Sequence, residues 1–338
     1  MNKNLICRHF TLCLLLVLCA SVAIQAQQGT ASYNATLEGY AYPFPVKRFG
    51  LELEGGHYSM AYMDVAPAKA DSSAHTVVLF HGKNFMGAYW ERTIRFLSQN
   101  GYRVVVPDQV GFGKSDKPSI QYTFHQLAQN TRQLLQAIGV HKAVVVGHSM
   151  GGMLAARFAL MYPDFTARLV LENPIGLEDY RPFVPFRTMQ ALYQEELQRS
   201  AESIRKYHGT YYTSWQPAYE EWVRIPAAQL GGADYPKVAK AAALTYSMIY
   251  QQPVIYEFAQ IKVPTLLVIG QEDRTIVGKG YIQDQQTLKA HGQYPALGKQ
   301  AAAAIPGAEL VEFKNVGHIP HLEAPQKFHK ALLEFLGR

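Results

Sequence analysis

The sequence predicts an α/β protein: a mostly parallel central sheet with helices on both faces, carrying a helical cap inserted late in the chain. Three observations lead there. Short β-branched runs alternate with helix-favouring stretches along most of the sequence, and the alternation stops after Pro174 and resumes at Val263. In addition, Gly147-His148-Ser149-Met150-Gly151 directly follows Val144-Val145-Val146 and precedes Met153-Leu154-Ala155-Ala156-Arg157-Phe158-Ala159, the order of a buried strand, a tight turn and a helix.

In chain order, Lys3 and Arg8 precede an uncharged apolar run from Phe10 to Ile24, and Ala26 is a small residue before Gln27. This is the layout of a secretory signal peptide over residues 1–26, too short for a comfortable membrane span, and it predicts export to the periplasm or beyond. Cys19 would suit lipid attachment only if Leu18 were small, so a lipoprotein is the lesser reading. The first core segment is expected over residues 27–173. Strands are expected at Phe49 to Leu53, at Tyr58 to Val65, where Tyr58, Met60, Tyr62 and Asp64 follow a period of two, and at Thr76 to Phe80. A helix from Tyr89 to Asn100 stops at Gly101, a natural left-handed cap. Arg103 to Val106 is a strand, Phe124 to Ile138 a helix ended by Gly139, and Ala143 to Val146 and Arg168 to Leu171 are further strands.

Residues 174–258 read as the helical cap. Its tyrosines and tryptophans, among them Tyr207, Tyr211, Tyr212, Trp215, Tyr219, Trp222 and Tyr246, fall at helical spacing, where most such rings pack a cap onto its core. Pro174 and Gly176 set the chain direction at its start, and Pro182 and Pro185 keep the next loop from becoming helical. The second core segment, residues 259–338, supplies strands at Val263 to Ile269 and Glu309 to Phe313 and a final helix from Pro325 to Leu336. Between Arg274 and Pro306 lies an excursion longer than a plain crossover, expected to cover the site from the other side.

The 338 residues carry 32 basic and 26 acidic side chains. Removing Lys3 and Arg8 with the leader leaves 30 against 26, a mild +4. With no basic run interleaved with aromatics, nucleic acid is not an expected partner. Cys7, Cys13 and Cys19 all lie in the leader, so a chain starting at Gln27 has neither a disulfide nor a thiolate metal site. No metal or organic cofactor is expected.

A serine hydroxyl is a poor nucleophile at neutral pH and needs an imidazole within hydrogen-bond reach and a carboxylate to orient it. In a strand-turn-helix setting Ser149 sits at the sharpest point of the turn with its hydroxyl exposed, and the flanking glycines allow close backbone approach. The acid and the histidine are expected later in the chain, each just past a strand. Asp273 in Gly270-Gln271-Glu272-Asp273 and His318 in Gly317-His318 meet that condition. Glu172, after the preceding strand, is the reserve acid, and His321 is the competing histidine. His57, His125 and His208 read as surface or packing residues.

The chain resembles the α/β-hydrolase family over essentially its whole mature length. The resemblance rests on His81-Gly82, Asp108-Gln109-Val110-Gly111-Phe112-Gly113-Lys114-Ser115-Asp116, the Ser149 elbow, Gly270-Gln271-Glu272-Asp273 and Gly317-His318, in that order. It implies the α/β-hydrolase fold with Ser149 as nucleophile, Asp273 as orienting acid and His318 as general base. It also implies the backbone N–H groups of Lys83 and Met150 as oxyanion donors. Side chains near this geometry, namely Asn84, Phe85, Met86 and His148, are pocket candidates, and His81 and the Asp108 loop read as structural.

The expected activity is hydrolysis of an ester or related acyl bond in a small molecule, apolar or aromatic to suit a ring-rich lid. Ser149 at the elbow argues against haloalkane dehalogenases and epoxide hydrolases, which resemble this layout with aspartate there. Carbon–carbon bond hydrolases share the serine triad and stay open. So do two other readings: an aminopeptidase, with Glu195, Glu196, Glu220 and Glu221 as candidates for an ammonium site, and a binding protein with little turnover. Oligomeric state is not legible.

Overall fold

The structure, a computed structural model, describes residues 32–69 and 75–337. The expected leader and its three cysteines lie outside the described residues. Among the described residues eight strands form one sheet in the order β1-β2-β4-β3-β5-β6-β7-β8. They are β1 (Val46–Leu53), β2 (Gly56–Val65), β3 (Thr76–Phe80), β4 (Arg103–Pro107), β5 (Ala143–His148), β6 (Thr166–Glu172), β7 (Thr265–Gly270) and β8 (Glu309–Phe313). β1 and β2 pair antiparallel, as do β2 and β4, and every pairing from β4 to β8 is parallel.

β3, β5 and β7 are buried at every position, which is why they appear in sequence as unbroken apolar runs rather than alternating ones. β1 and β2 form a hairpin closed by Glu54-Gly55, both with positive φ, 47° and 77°. That backbone matches the right-handed twist of the flanking strands and suits glycine; Glu54 adopts it without that freedom. Several strands run one to three residues beyond the sequence-based bounds.

One face of the sheet packs against α2 (Phe124–Ala137), α3 (Met150–Met161) and α9 (Tyr294–Ala304), and the other against α1 (Glu91–Gln99) and α11 (Pro325–Leu336). Phe158 on one face and Phe328 on the other are fully buried; each such side chain stabilises the fold by roughly 1.5–3 kcal/mol. The expected helix at Tyr89 starts later: Gly87–Trp90 is a 3-10 turn and α1 begins at Glu91. Thr123 caps α2 by accepting from the Gln126 N–H at 3.0 Å.

Between β6 and β7 the chain leaves the sheet and forms α4 (Met189–Leu197), α5 (Ala201–Gly209), α6 (Glu220–Gln229) and α7 (Tyr235–Gln251). α4 packs on α7 and α5 on α6. The Tyr235 hydroxyl donates to the Glu196 carbonyl at 2.7 Å, and the Tyr250 hydroxyl donates to the Val184 carbonyl at 3.0 Å. Tyr212 and Tyr219 stack at 3.9 Å, a packing role for two of the crowded rings. The excursion after Asp273 holds α8 (Gln285–Ala290) and α9, and α10 (Pro320–Glu323) precedes α11. No helix among the described residues is long and apolar enough to cross a membrane.

Candidate active site

The elbow between β5 and α3 places Ser149 at φ 56°, ψ −120°, a conformation that costs a non-glycine residue about 1–3 kcal/mol. Its neighbours hold it there. A Cβ on Gly147 would collide with the Gly151 carbonyl, one on Gly151 with the Phe80 carbonyl, and one on Gly152 with Pro174. The Ser149 N–H donates to the Glu172 carbonyl at 3.1 Å and its carbonyl accepts from Gly152 N–H at 2.9 Å. The turn is thus welded between β3, β5 and β6.

Three distant segments converge on the hydroxyl. His318 Nε2 lies 2.9 Å from Ser149 Oγ, and His318 Nδ1 lies 2.6 Å from Asp273 Oδ2. Because Nδ1 faces a carboxylate, it carries the hydrogen, leaving Nε2 bare to accept the serine proton. Asp273 is 2 % exposed and His318 1 %, so the pair works where charge interactions are strong. Burial opposes the charge on Asp273. The His318 ring and hydrogen bonds from His318, the Thr275 N–H at 2.8 Å and Asn173 Nδ2 at 2.8 Å nevertheless hold its carboxyl below the usual carboxylate range.

The two runners-up from the sequence, Glu172 and His321, pair with each other. His321 donates its backbone N–H to Glu172 Oε1 at 2.6 Å, and its Nδ1 lies 3.0 Å from both carboxylate oxygens. The ring stacks on Trp90 at 3.9 Å, and its Nε2 is buried without a hydrogen-bond partner. Among the described residues no hydroxyl meets this imidazole, and the pair serves packing.

His148, a pocket candidate, is the last residue of β5 and is fully buried, lining neither the cavity over Ser149 nor the recess beside it. Its Nε2 lies 2.9 Å from the His318 carbonyl, which can only accept, so Nε2 carries the hydrogen. The bare Nδ1 then accepts from the Tyr89 hydroxyl at 3.0 Å, which in turn accepts from the Gly82 N–H at 3.0 Å. Burial, reinforced by the neighbouring histidines, keeps the His148 ring far below the usual histidine range and therefore neutral. His81 braces the same loop as expected, with Nδ1 2.9 Å from the Gly82 carbonyl and Nε2 accepting from Gln109 N–H at 3.0 Å. Asp108 is also structural, accepting from Gly87 N–H, Lys114 N–H and the Tyr42 hydroxyl.

Above Ser149 lies a cavity of about 520 Å³. Lys83 and Asn84 line it from the loop after β3, Tyr207 from α5, Arg199 and Tyr211 from the connections on either side of α5, and Tyr281 from the excursion. Phe85 and Met86 face an adjoining recess of about 110 Å³ instead, as does His208. Met150 opens α3, and the first N–H groups of a helix have no intrahelical acceptor.

Sequence reasoning missed Asn173 and Tyr211 as site residues. Asn173, at φ 36°, bridges Asp273 and the Gly270 N–H; an asparagine tolerating the left-handed region just past a strand was the available signal. Tyr211 accepts the His318 N–H on its carbonyl at 2.7 Å, stacks on the His318 ring at 4.8 Å and accepts from Asn84 Nδ2 at 2.7 Å. Nothing in a ring-crowded segment distinguishes it.

A family model described as the alpha/beta hydrolase fold matches residues 75–325. A solved structure described as a probable hydrolytic enzyme from Pseudomonas aeruginosa is 48% identical, with a TM-score of 0.88, covering 91% of this chain and 99% of that one. A 2-hydroxy-6-oxononadienedioate/2-hydroxy-6-oxononatrienedioate hydrolase from Paraburkholderia phymatum is 28% identical over 298 residues, 85% of this chain and 94% of that protein. The enol-lactonase from Burkholderia xenovorans, 20% identical with a TM-score of 0.64 over 86% of this chain and all of that one, shares the fold.

Proposed function

Since the chain belongs to the α/β-hydrolase family, we propose that Ser149, His318 and Asp273 cleave an ester or related acyl bond of a small molecule through an acyl-enzyme. The observation that carries this is the continuous relay from Ser149 Oγ to His318 to Asp273, at 2.9 and 2.6 Å, opening on a cavity able to hold a substrate. Ser149 Oγ attacks the acyl carbon while its proton passes to His318 Nε2, and the oxyanion is met by the N–H groups of Lys83 and Met150. Collapse expels the leaving group, which takes the proton from His318. Water then attacks the acyl-enzyme with His318 as base, releasing the acid and restoring Ser149.

The inserted helices act as a cap, and the tyrosine faces over Ser149 suit a substrate with aromatic or apolar parts. The peptidase reading weakens here. Glu195 is taken by Arg187 and the Tyr281 hydroxyl, Glu196 by Arg199, Glu220 by Arg205, and Glu221 by the Tyr40 hydroxyl. Carbon–carbon bond hydrolysis is the second reading, favoured by relatives named for 2-hydroxy-6-oxo acids, whose names include a ketone and no ester. It needs the same nucleophile and a leaving carbon that can depart as an enol.

A fluorophosphonate probe should label the protein at Ser149, and Ser149→Ala should abolish labelling. A folded protein that resists the probe and turns over neither short aryl esters nor vinylogous keto acids refutes the proposal. Export is proposed with it: the protein recovered from the periplasm or medium should begin at Gln27.

A further inference from the structure

Lys83 follows Gly82, whose backbone lies against the nucleophile: a Cβ on Gly82 would stand 3.2 Å from Ser149 Cβ. Lys83 lines both the cavity over Ser149 and the adjoining recess, and its ammonium lies close enough to Glu196 and Arg199, which line the same two spaces, to feel their charges. Among the described residues its ammonium has no hydrogen bond and no ion pair; the charges acting on it are those of Glu196 and Arg199. Arg199 lines the same two spaces and spends one nitrogen on Glu196, at 3.3 Å. Of the charged side chains around the catalytic cavity, Lys83, Arg199 and Lys279 are cationic and Glu195 and Glu196 anionic. Glu195 is already neutralised by Arg187 from outside the lining. The Tyr246 hydroxyl, also in the lining, is buried and unpartnered.

Lys83 is part-buried, and a partly desolvated ammonium with no fixed partner gains from an anion that joins it. Neither oxyanion stabilisation nor the proton relay uses the side chains of Lys83, Arg199 or Tyr246. We propose that this cavity recognises a free carboxylate on the substrate through Lys83 and Arg199, with Tyr246 as a further donor, so that the substrates are acyl compounds bearing a carboxylate away from the scissile bond. The inference rests on the hydrolase reading for the scissile bond but not for the binding of the anion. A guanidinium beside an ammonium suits the planar, two-oxygen geometry of a carboxylate. Burial holds the Lys83 ammonium below the usual lysine range, and a bound anion would reverse that shift.

Ser149→Ala protein allows binding to be read without turnover. Calorimetry with monoethyl esters of dicarboxylic acids from succinate to suberate, each against its uncharged primary amide analogue, should find at least one acid bound about tenfold tighter than its amide, the size of one charge-assisted hydrogen bond. Lys83→Gln and Arg199→Gln, each added to Ser149→Ala, should remove most of that preference. Added salt should weaken only the acids, a readout independent of either variant. No acid exceeding its amide, or a preference intact in both variants, overturns the proposal. Charge-selective binding in a protein that the fluorophosphonate does not label would keep this inference and sink the hydrolase reading.

Discussion

Replacing Asp273 by asparagine and, separately, Glu172 by glutamine distinguishes the two buried acid–imidazole pairs. The Asp273 carboxylate is fully used: Oδ2 accepts from His318 Nδ1 and Asn173 Nδ2, and Oδ1 from the Thr275 N–H. An asparagine offers those three donors one oxygen and one NH2. With its oxygen toward His318 it preserves the Nδ1–H tautomer, but its NH2 confronts the Thr275 N–H and the imidazolium formed during reaction loses its negative partner. Loss of the charge alone removes roughly 1.5–3 kcal/mol, about ten- to a hundredfold in kcat at about 1.4 kcal/mol per tenfold. Turned the other way, the NH2 faces His318 and forces the hydrogen onto Nε2, where it blocks proton uptake from Ser149; such reversal costs about 10⁴-fold. Asp273→Asn should therefore lower kcat by a factor between about 10 and 10⁴, measured by steady-state ester hydrolysis. Glu172→Gln should instead lower stability by about 1–3 kcal/mol, by chemical denaturation, because one of the two oxygens that meet the buried His321 becomes an NH2, while the folded fraction keeps kcat near the parent value. Near-parental kcat in Asp273→Asn with collapse in Glu172→Gln would exchange the two roles and refute the reasoning.

Tyr89→Phe strands the Gly82 N–H and His148 Nδ1, costing about 1–3 kcal/mol in denaturant melts, and should lower kcat more than it raises KM because Gly82 precedes Lys83, the proposed oxyanion donor; unchanged kcat would show that the loop is fixed without it. Burial lowers His208 to about 3 and His329 to about 4. Both folded values lie below the unfolded value of about 6.5, so the stability each contributes is complete above that pH and is lost as pH falls towards its folded value. The slope is at most about 1.4 kcal/mol per pH unit for each. Denaturant midpoints followed with pH should show a shallower acid limb in His208→Phe, and an unaltered limb counts against a buried neutral ring. Gly151→Ala would push a methyl into the Phe80 carbonyl; it should cost at least about 1–3 kcal/mol and weaken fluorophosphonate labelling of whatever folds, and a fully stable, normally labelled variant would mean the elbow relaxes.

What the sequence discloses follows from where each signal is written. Strands such as β5 are buried on both faces, so composition alone exposes them, and Ser149 stands among glycines whose spacing reflects backbone crowding. Both signals are local. The antiparallel start of the sheet was not legible, because Glu54 takes a left-handed turn conformation that its residue type disfavours. The pairing of Glu172 with His321 was equally hidden: each stands just past a strand in this sequence, as Asp273 and His318 do, and only tertiary packing decides which imidazole meets a hydroxyl. Which rings reach the cavity depends on how the connection after α5 turns. Tyr211 and Tyr212 are adjacent in sequence, yet one stacks on His318 and the other on Tyr219.

The direction of the hydrogen bonds through His148 adds a constraint that no single residue carries. Gly82 donates to Tyr89, Tyr89 to His148, and His148 to the backbone of His318, so each link fixes the donor of the next. A second proton on His148 would set its Nδ1–H against the Tyr89 hydroxyl, which could answer only by turning its own hydrogen away. Accepting from both Gly82 and the ring would then fill both lone pairs, and the loop and the histidine segment would no longer be joined by one alternating chain. The loop after β3 and the His318 segment lie far apart in the sequence, yet this neutral ring sets them in common register. That is a physical reason for a fully buried histidine beside Ser149, where a hydrophobic side chain of similar size would fill the space and leave two polar groups unpaired.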